Sequence, residues 1–409
     1  MWNAILRWSL TQMDPATDPG EENSRAEPQE MSAERREFLT KAFDSLVIDE
    51  TKRIKIVLSV LKTPLDAERL RGIADQLSTF EEYKVDSEHA QSMSNNALFL
   101  QMLHRKACAL IELDELVLGL DNANDLVQDK LGGLPVLLAE MESPFFSLRY
   151  RVAQVISTVT QNNPKAQERV TAAGGIAILL TQLALTNANQ PFPTLPADFS
   201  TASSTETETK ETKNSREFFE DEDEDESELR TRERLALKTV TKSVFALSSV
   251  LRHNPAGIAQ FEEQKGIQVL YSLLNTEGKF HANSTNKQLQ KEQKRLVKKV
   301  VSLLRYFWRE NSKYLNGSES VLVSLVTFIG DDNDIDMREQ SLRALIELTA
   351  HNNNTVDTAL RVESLGFREA LLRRSKICGS YTDPEDLDMV RDEVELLRIL
   401  IAKFGQATR

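Results

Sequence analysis

Cysteine, glycine, proline and aromatic residues are all scarce in this chain, and so is any long apolar run. Two cysteines occur, Cys108 and Cys378, far apart and in no Cys-x-x-Cys pair. That spacing gives metal or redox chemistry little to stand on, and two reduced helical thiols is the plain reading. Few glycines and prolines, with aromatics at 6%, lean away from an all-β fold. No run approaches the ~18 apolar residues of a membrane span, so no membrane partner is expected. The opening stretch MWNAILRWSLTQMD lacks a basic n-region and a long apolar core, so it does not read as a secretory signal. A cytoplasmic location is expected, with the nucleus also open. Positive charge is short too, with a net charge of −13. That argues against a general nucleic-acid binder, which needs a basic footprint to displace counterions, though a local basic patch stays open.

Catalytic signatures are equally thin. The five histidines, His89, His104, His253, His281 and His351, form no HxxxH or Cys/His cluster. Neither GxxxxGK[ST] nor GxGxxG occurs, so no bound nucleotide or other cofactor is expected. Gly132-Gly133 and Gly174-Gly175 read as helix turns. Without a nucleophile and base in a recognisable pattern, the chain is not expected to be an enzyme.

What is abundant is Leu, Ala, Glu, Lys and Arg, in helical spacing. From about residue 37 the chain reads as helices, and then a repeat emerges. Each copy is an apolar helix, a corner with Asn or His, a second helix, a glycine and an apolar closing helix. Copies end in LDNAND…KLGGLPVLLAEM, LRYRVAQVISTVTQNNPKAQERVTAAGGIAILLTQL, the stretch through VFALSSVLRHNPAGIAQFEEQKGIQVLYSLL, RLVKKVVSLLRYFWRENSKYLNGSESVLVSLVTFI, and MREQSLRALIELTAHNNNTVDTALRVESLGFREALLRR. Gly133 and Gly175 are 42 residues apart, within the ~40–47-residue armadillo/HEAT period. Val152, Val155, Ile156 and Val159 predict one buried stripe; Val240, Val244, Leu247 and Leu251 a second; Val300, Val301, Leu304 and Phe307 a third. The expected fold is all-α: an armadillo-like right-handed superhelix of stacked helical repeats, with a disordered N-terminus and a disordered acidic insertion.

The expected organisation has four parts. Residues 1–36 place a short apolar helix (Trp2, Ile5, Leu6, Trp8, Leu10) on a Pro/Glu/Ser/Asp-rich tether; the same helix could instead pack back on the domain. Residues 37–186 hold the N-terminal helices and first repeats. Residues 187–230 form the insertion, whose acids Glu220–Glu226 cannot pack together. It reads either as a tolerated surface loop or as a regulatory arm. Residues 231–409 hold the remaining repeats, with a polar loop at 276–294. DPEDLDMVRDEVELLRILIAKF closes the array as one amphipathic capping helix.

The corners carry Asn122, Asn124, Asn162, Asn163, Arg252, His253, Asn254, Arg309, Asn311 and His351 to Asn354. Aligned along one edge, such amides and bases could bond another protein's backbone and carboxylates. Equally, Asn can end helices because it tolerates the left-handed conformation. Lys294, Arg295, Lys298 and Lys299 give the fourth unit a basic start that suits an acidic partner, or a solvated face.

LDNANDLVQDKLGGL, LRYRVAQVISTVTQNNPKAQERV and VFALSSVLRHNPAGIAQF resemble the armadillo-type nucleotide exchange factors of the 70-kDa heat-shock chaperone. These are the cytosolic Fes-type factors and the animal heat-shock-protein-binding protein, with the secretory Sil-type factor as a relative. The resemblance spans roughly residues 40–404, broken by the acidic insertion. It implies a co-chaperone whose array grips lobe II of the chaperone's nucleotide-binding domain, opens the cleft and releases ADP and then client. It places interface residues at Ala123, framed by Asn122 and Asn124 as a flat contact spot, and at Lys299 beside Lys298, Arg252, Asn162 and Phe245. It also implies that residues 1–36 keep clients from rebinding by occupying the chaperone's peptide-binding domain. A capped array of this kind suggests a monomer. The competing readings are an armadillo adaptor of another class and an enzyme with an unfamiliar groove site. Cargo carriers present repeated Trp/Asn pairs on inner helices, and here only Trp308 sits on such a helix.

Overall fold

The computed structural model describes residues 50–64, 95–128, 130–184, 228–274, 287–330, 334–350, 360 and 366–404. The expectations for residues 1–36, for Glu220–Glu226 and for His351 to Asn354 fall outside these. Every regular element among the described residues is a helix. None of those helices is long and apolar enough to cross a membrane.

The order is α1 (Glu50–Lys62), α2 (Asn95–Leu116), α3 (Leu120–Val127), α4 (Gly133–Glu140), α5 (Phe146–Thr160), α6 (Pro164–Ala172), α7 (Gly175–Leu183), α8 (Glu228–Leu251), α9 (Pro255–Glu263) and α10 (Gly266–Leu274). Then come α11 (Lys287–Glu310), two 3₁₀ turns (Ser312–Leu315 and Ser318–Val321), α12 (Leu322–Ile329), α13 (Ile335–Ala350), α14 (Phe367–Cys378), α15 (Pro384–Met389) and α16 (Arg391–Phe404). Long helices α2, α5, α8, α11, α13 and α16 pack each on the next in chain order. The short second helices α3, α6 and α9 make a parallel row of their own. This is a stack of three-helix units sharing one continuous apolar core. The three predicted stripes on α5, α8 and α11 are all buried in it.

The corners repeat the same local chemistry. Asn162 (φ 53°) and His253 (φ 56°) turn left-handed two residues after the ends of α5 and α8. The next residue, Asn163 or Asn254, is the N-cap, its side chain accepting from the N–H of Ala166 or Gly257, and a proline follows at the first helical position. Asn254 also donates to Thr171 Oγ1 at 2.9 Å, which ties one unit to the one before. Both buried asparagines therefore serve the fold, the helix-ending reading of the corners.

The glycine pairs divide their labour. Gly132 and Gly174 take positive φ (60° and 77°), but the second glycines do not. A Cβ on Gly133, Gly175 or Gly266 would overlap Leu126, Val170 or Phe261. The second glycine is there for close helix approach. In the third unit Lys265 (φ 57°) stands at the left-handed position, yet Gly266 is retained.

Four boundaries differ from the sequence expectation. α11 begins at Lys287, inside the stretch expected as a polar loop. Its basic residues thus sit in the second to fourth turns instead of at its start. α8 begins at Glu228, so the last residues assigned to the insertion are helical. The second helix of the fourth unit is replaced by two 3₁₀ turns, because Asn311 and Gly317 interrupt it as caps. The terminal segment is two helices, with Val390 between them.

Two buried clusters lock units together. Trp308 Nε1 donates to Tyr271 Oη at 2.9 Å, and Tyr271 Oη donates to the Tyr314 carbonyl at 2.6 Å. Phe261 stacks on Phe307 with centroids 5.3 Å apart. Near the C-terminal end, Glu393 accepts two bonds each from Arg338 (2.9 and 3.1 Å) and Arg374 (2.6 and 3.3 Å), joining α13, α14 and α16. Trp308 is wholly buried, so it offers no groove-facing indole to a cargo peptide.

Candidate partner interface

The long helices bury one stripe each and leave a polar stripe on the same side of the stack. On α8 that stripe reads Lys238, Lys242, Phe245 and Ser248, and Arg252 follows just past the helix end, in steps of three and four that return to one helix face. On α5 it reads Arg151, Gln154 and Thr158. On α11 it includes Arg295, Lys298, Lys299, Ser302, Arg305 and Arg309.

Cross-helix bonds join the stripes into one face. Thr158 donates to Asp114 of α2. Lys242 Nζ donates to Gln154 Oε1 at 2.6 Å. Lys299 Nζ lies 4.7 Å from the Phe245 ring centroid, a cation–π contact. Arg151 and Lys238 both approach the Tyr150 ring, at 4.5 and 4.2 Å. Further along, Lys298 pairs with Asp334 (3.0 Å) and Asp336 (2.9 Å). Arg305 pairs with Glu347 at 2.9 Å and bonds Gln340 at 2.7 Å.

The electrostatics differ between the two ends. Beyond α11 the cations face carboxylates. Burial opposes charge on Lys298, but bonds to Asp336 and Asp334 outweigh it and hold its pKa above the ordinary lysine value. On α5, α8 and α11, Arg151, Lys242 and Lys299 touch only a carbonyl and ring, an amide, and a ring among the described residues. Burial, then the nearby Lys238, pushes the Lys242 pKa down. Asp114 and Glu292 lie close enough to offset part of that shift, yet none of these three cations forms an ion pair among the described residues, in a chain of net charge −13. A carboxylate supplied from outside would relieve it.

The residues expected from sequence divide accordingly. Phe245 and Lys299 are brought together at the centre of this face, and Lys299 is exposed. Arg252 follows the last residue of α8, seven residues beyond Phe245, and is exposed. Asn162 is exposed at the end of α5, one unit earlier. Lys298 is beside Lys299 but turned to the α13 carboxylates.

Ala123 is a correction. It is 3% exposed and lies inside α3, so it is a packing residue and not a flat contact spot. The Asp-Asn-Ala-Asn stretch is the first turn of a helix capped at Gly119; the corner itself falls earlier, at Val117 and Leu118. An acid at the helix start favours this register. Asn122 donates to the Leu116 carbonyl at 2.8 Å and to Glu50, closing the end of α2. Asn124 is half-buried, and its Oδ1 has no hydrogen-bond partner. The same face also carries Arg151, Gln154, Lys238 and Lys242, which the sequence reading did not single out. Their three- and four-residue spacing opposite the apolar stripe was the available signal.

No protein-family model matches the chain. It is 42% identical over 81 residues to the Hsp70 nucleotide exchange factor fes1 of Schizosaccharomyces pombe, which covers 20% of this chain and 28% of that protein. It is 28% identical over 172 residues to nucleotide exchange factor SIL1 of Mus musculus, covering 42% of this chain and 26% of that protein. It is 29% identical over 172 residues to Hsp70-binding protein 1 of Homo sapiens, covering 41% and 40%. The matches thus span between about a quarter and two fifths of these relatives' lengths. Among solved structures, a designed armadillo repeat protein superposes with a TM-score of 0.42 at 15% identity, over 79% of this chain and 99% of that one. So loose a superposition adds nothing to the helix order described above. At family level, the chain is a relative of proteins named as Hsp70 nucleotide exchange factors and Hsp70-binding proteins.

Proposed function

We propose that this chain is a non-enzymatic co-chaperone that binds the nucleotide-binding domain of a cytosolic 70-kDa heat-shock chaperone and promotes release of ADP, and with it of client. The observation that carries the reading is the likeness to relatives named as Hsp70 exchange factors, at up to 42% identity. The cation face on α5, α8 and α11 supports it by offering a docking surface for an acidic protein. The mechanism needs only linkage. A protein that binds the open nucleotide cleft better than the closed one weakens ADP by the factor by which ADP weakens it. Arg151, Lys242 and Lys299 would meet partner carboxylates, with Phe245 filling the contact between them, while Arg252 and Asn162 flank it. Residues 1–36 are proposed to keep released clients off the chaperone, and the protein to act as a monomer.

The test is stopped-flow release of fluorescent ADP from a cytosolic 70-kDa heat-shock chaperone. The wild type should accelerate release, and a Lys299→Glu/Arg252→Glu variant should lose at least about tenfold of that acceleration, as charge reversal at a docking face costs. Unaltered ADP release with a well-folded wild type and a cognate chaperone would overturn the reading. A variant as active as the wild type would remove this face from the mechanism.

A further inference from the structure

The cation face lies within reach of the chain's own acids. Arg234, Lys238 and Lys242 recur every four residues along α8, on one side of the helix. Arg151 of α5 and Lys238 share the Tyr150 ring, at 4.5 and 4.2 Å from its centroid. Burial lowers the Lys242 pKa most, and repulsion from Lys238 and from Lys299 of α11 lowers it further. Cations of three successive long helices thus form one patch. Two carboxylates lie near it, and both are engaged: Asp114 accepts from Thr158, and Glu292 pairs with Arg295. Arg151, Lys242 and Lys299 form no ion pair among the described residues.

The sequence puts a matching load of negative charge beside this patch. Seven consecutive acids, Glu220–Glu226, stop two residues before Glu228, the first residue of α8. They lie outside the described residues, so reach is a question of chain length. Lys238 and Lys242 sit about 15 and 21 Å along the axis from the start of α8. The stretch from Glu220 to Ser227 spans up to about 26 Å when extended, enough to double back to both lysines. An extended chain presents carboxylates on one side about every 6.6 Å, against lysines about 6 Å apart on the helix. Adjacent acids repel one another, and cations opposite them relieve the repulsion. The tether favours this segment over free anions, because it holds the acids at an effective concentration of about 1 mM. At that concentration a contact of about millimolar intrinsic affinity is half occupied, which halves the apparent affinity of any competitor.

We propose that the acidic run Glu220–Glu226 docks on the chain's own α5–α8–α11 cation face and competes there with the carboxylates of the partner. The competition rests on the chaperone docking proposed above; the contact itself does not, and it is measured without a chaperone.

The experiment is zero-length cross-linking of the full chain with a water-soluble carbodiimide, which joins a carboxylate to a lysine amine only where the two touch. Links are read by mass spectrometry of the monomer band. Residues 220–226 should link to Lys238, Lys242 or Lys299 more often than to Lys165, which is exposed on α6. The links should disappear in about 1 M salt, where screening acts within about 3 Å. Absence of these links, equal linking to Lys165, or links found only in cross-linked dimers would each overturn the inference. A variant with every Glu→Gln and Asp→Asn change across 220–226 should accelerate ADP release at a half-maximal concentration lower by about twofold or more. An unchanged half-maximal concentration would overturn the competition. Acceleration by neither protein would instead overturn the proposed function, and the cross-links would still decide the contact.

Discussion

Tyr271→Phe removes one oxygen from the interior and changes no packing volume to speak of. That oxygen accepts from the Trp308 indole N–H at 2.9 Å and donates to the Tyr314 carbonyl at 2.6 Å. Trp308 is 0% exposed, so its N–H has no route to water in the variant. A buried donor left unpaired costs about 1–3 kcal/mol, and the lost carbonyl bond adds about 1 kcal/mol. The expected loss is therefore about 2–4 kcal/mol, confined to the contact of α10 with α11 and the first 3₁₀ turn. Stacked repeats open locally, so a single global unfolding energy is a poor readout. Hydrogen–deuterium exchange resolves the loss by element: a 2 kcal/mol change raises local exchange about 30-fold, at 1.36 kcal/mol per decade. Peptides from α5 and α6 should be unaffected. A rise below about threefold at α10 and α11 would refute the reasoning.

The same phenol links stability to alkaline pH. Burial raises the Tyr271 pKa to about 12 against an ordinary value of 10.0, outweighing the opposing bond from Trp308. A folded-state pKa above the unfolded one means the native protein holds its proton more tightly. The contribution is complete below pH 10 and is lost as pH rises towards 12. The Tyr271→Phe protein should show a shallower fall in stability across that interval. A slope equal to the wild type's would assign the alkaline loss elsewhere.

Asn254→Ala should destabilise the α8–α9 corner by about 1–2 kcal/mol for the cap, plus about 1 kcal/mol for the bond to Thr171, whereas Asn163→Ala, without that cross-unit bond, should cost only the cap; equal losses in denaturant titrations would contradict the coupling. Lys265→Gly should stabilise by up to about 1 kcal/mol, because a left-handed lysine carries a steric penalty that glycine escapes; a lowered melting temperature would count against it. Ala123→Arg should lower the melting temperature, since overpacking a core position costs about 1–3 kcal/mol and a buried unpaired charge adds more. An unchanged melt would mean the side chain points to solvent.

Much of this architecture was legible in the chain because helices are local objects. The valine and leucine stripes on α5, α8 and α11 follow from the 3.6-residue period, and the stripes are buried where the period puts them. The glycine spacing announced a repeat because close helix approach excludes a Cβ at one position per unit. The misreadings were of two kinds. The Asp-Asn-Ala-Asn stretch reads as a corner, yet it is helical, since tertiary burial of Ala123, Leu126 and Val127 overrides the modest helix propensity of Asn and Asp. The terminal helix breaks at Val390, a position with no Pro or Gly to mark it.

The sequence by itself determined the helices, their apolar faces and the repeat that stacks them, since each depends on residues within a few turns of one another. Only the tertiary structure decided which polar residues became neighbours. Lys242 meets Gln154 across 88 positions, Lys299 meets Phe245 from the next helix, and Glu393 gathers Arg338 and Arg374 in the interior. A lysine on a helix has the same local pattern whether its ammonium faces water, a ring or a carboxylate. The side-by-side packing of successive long helices settles which.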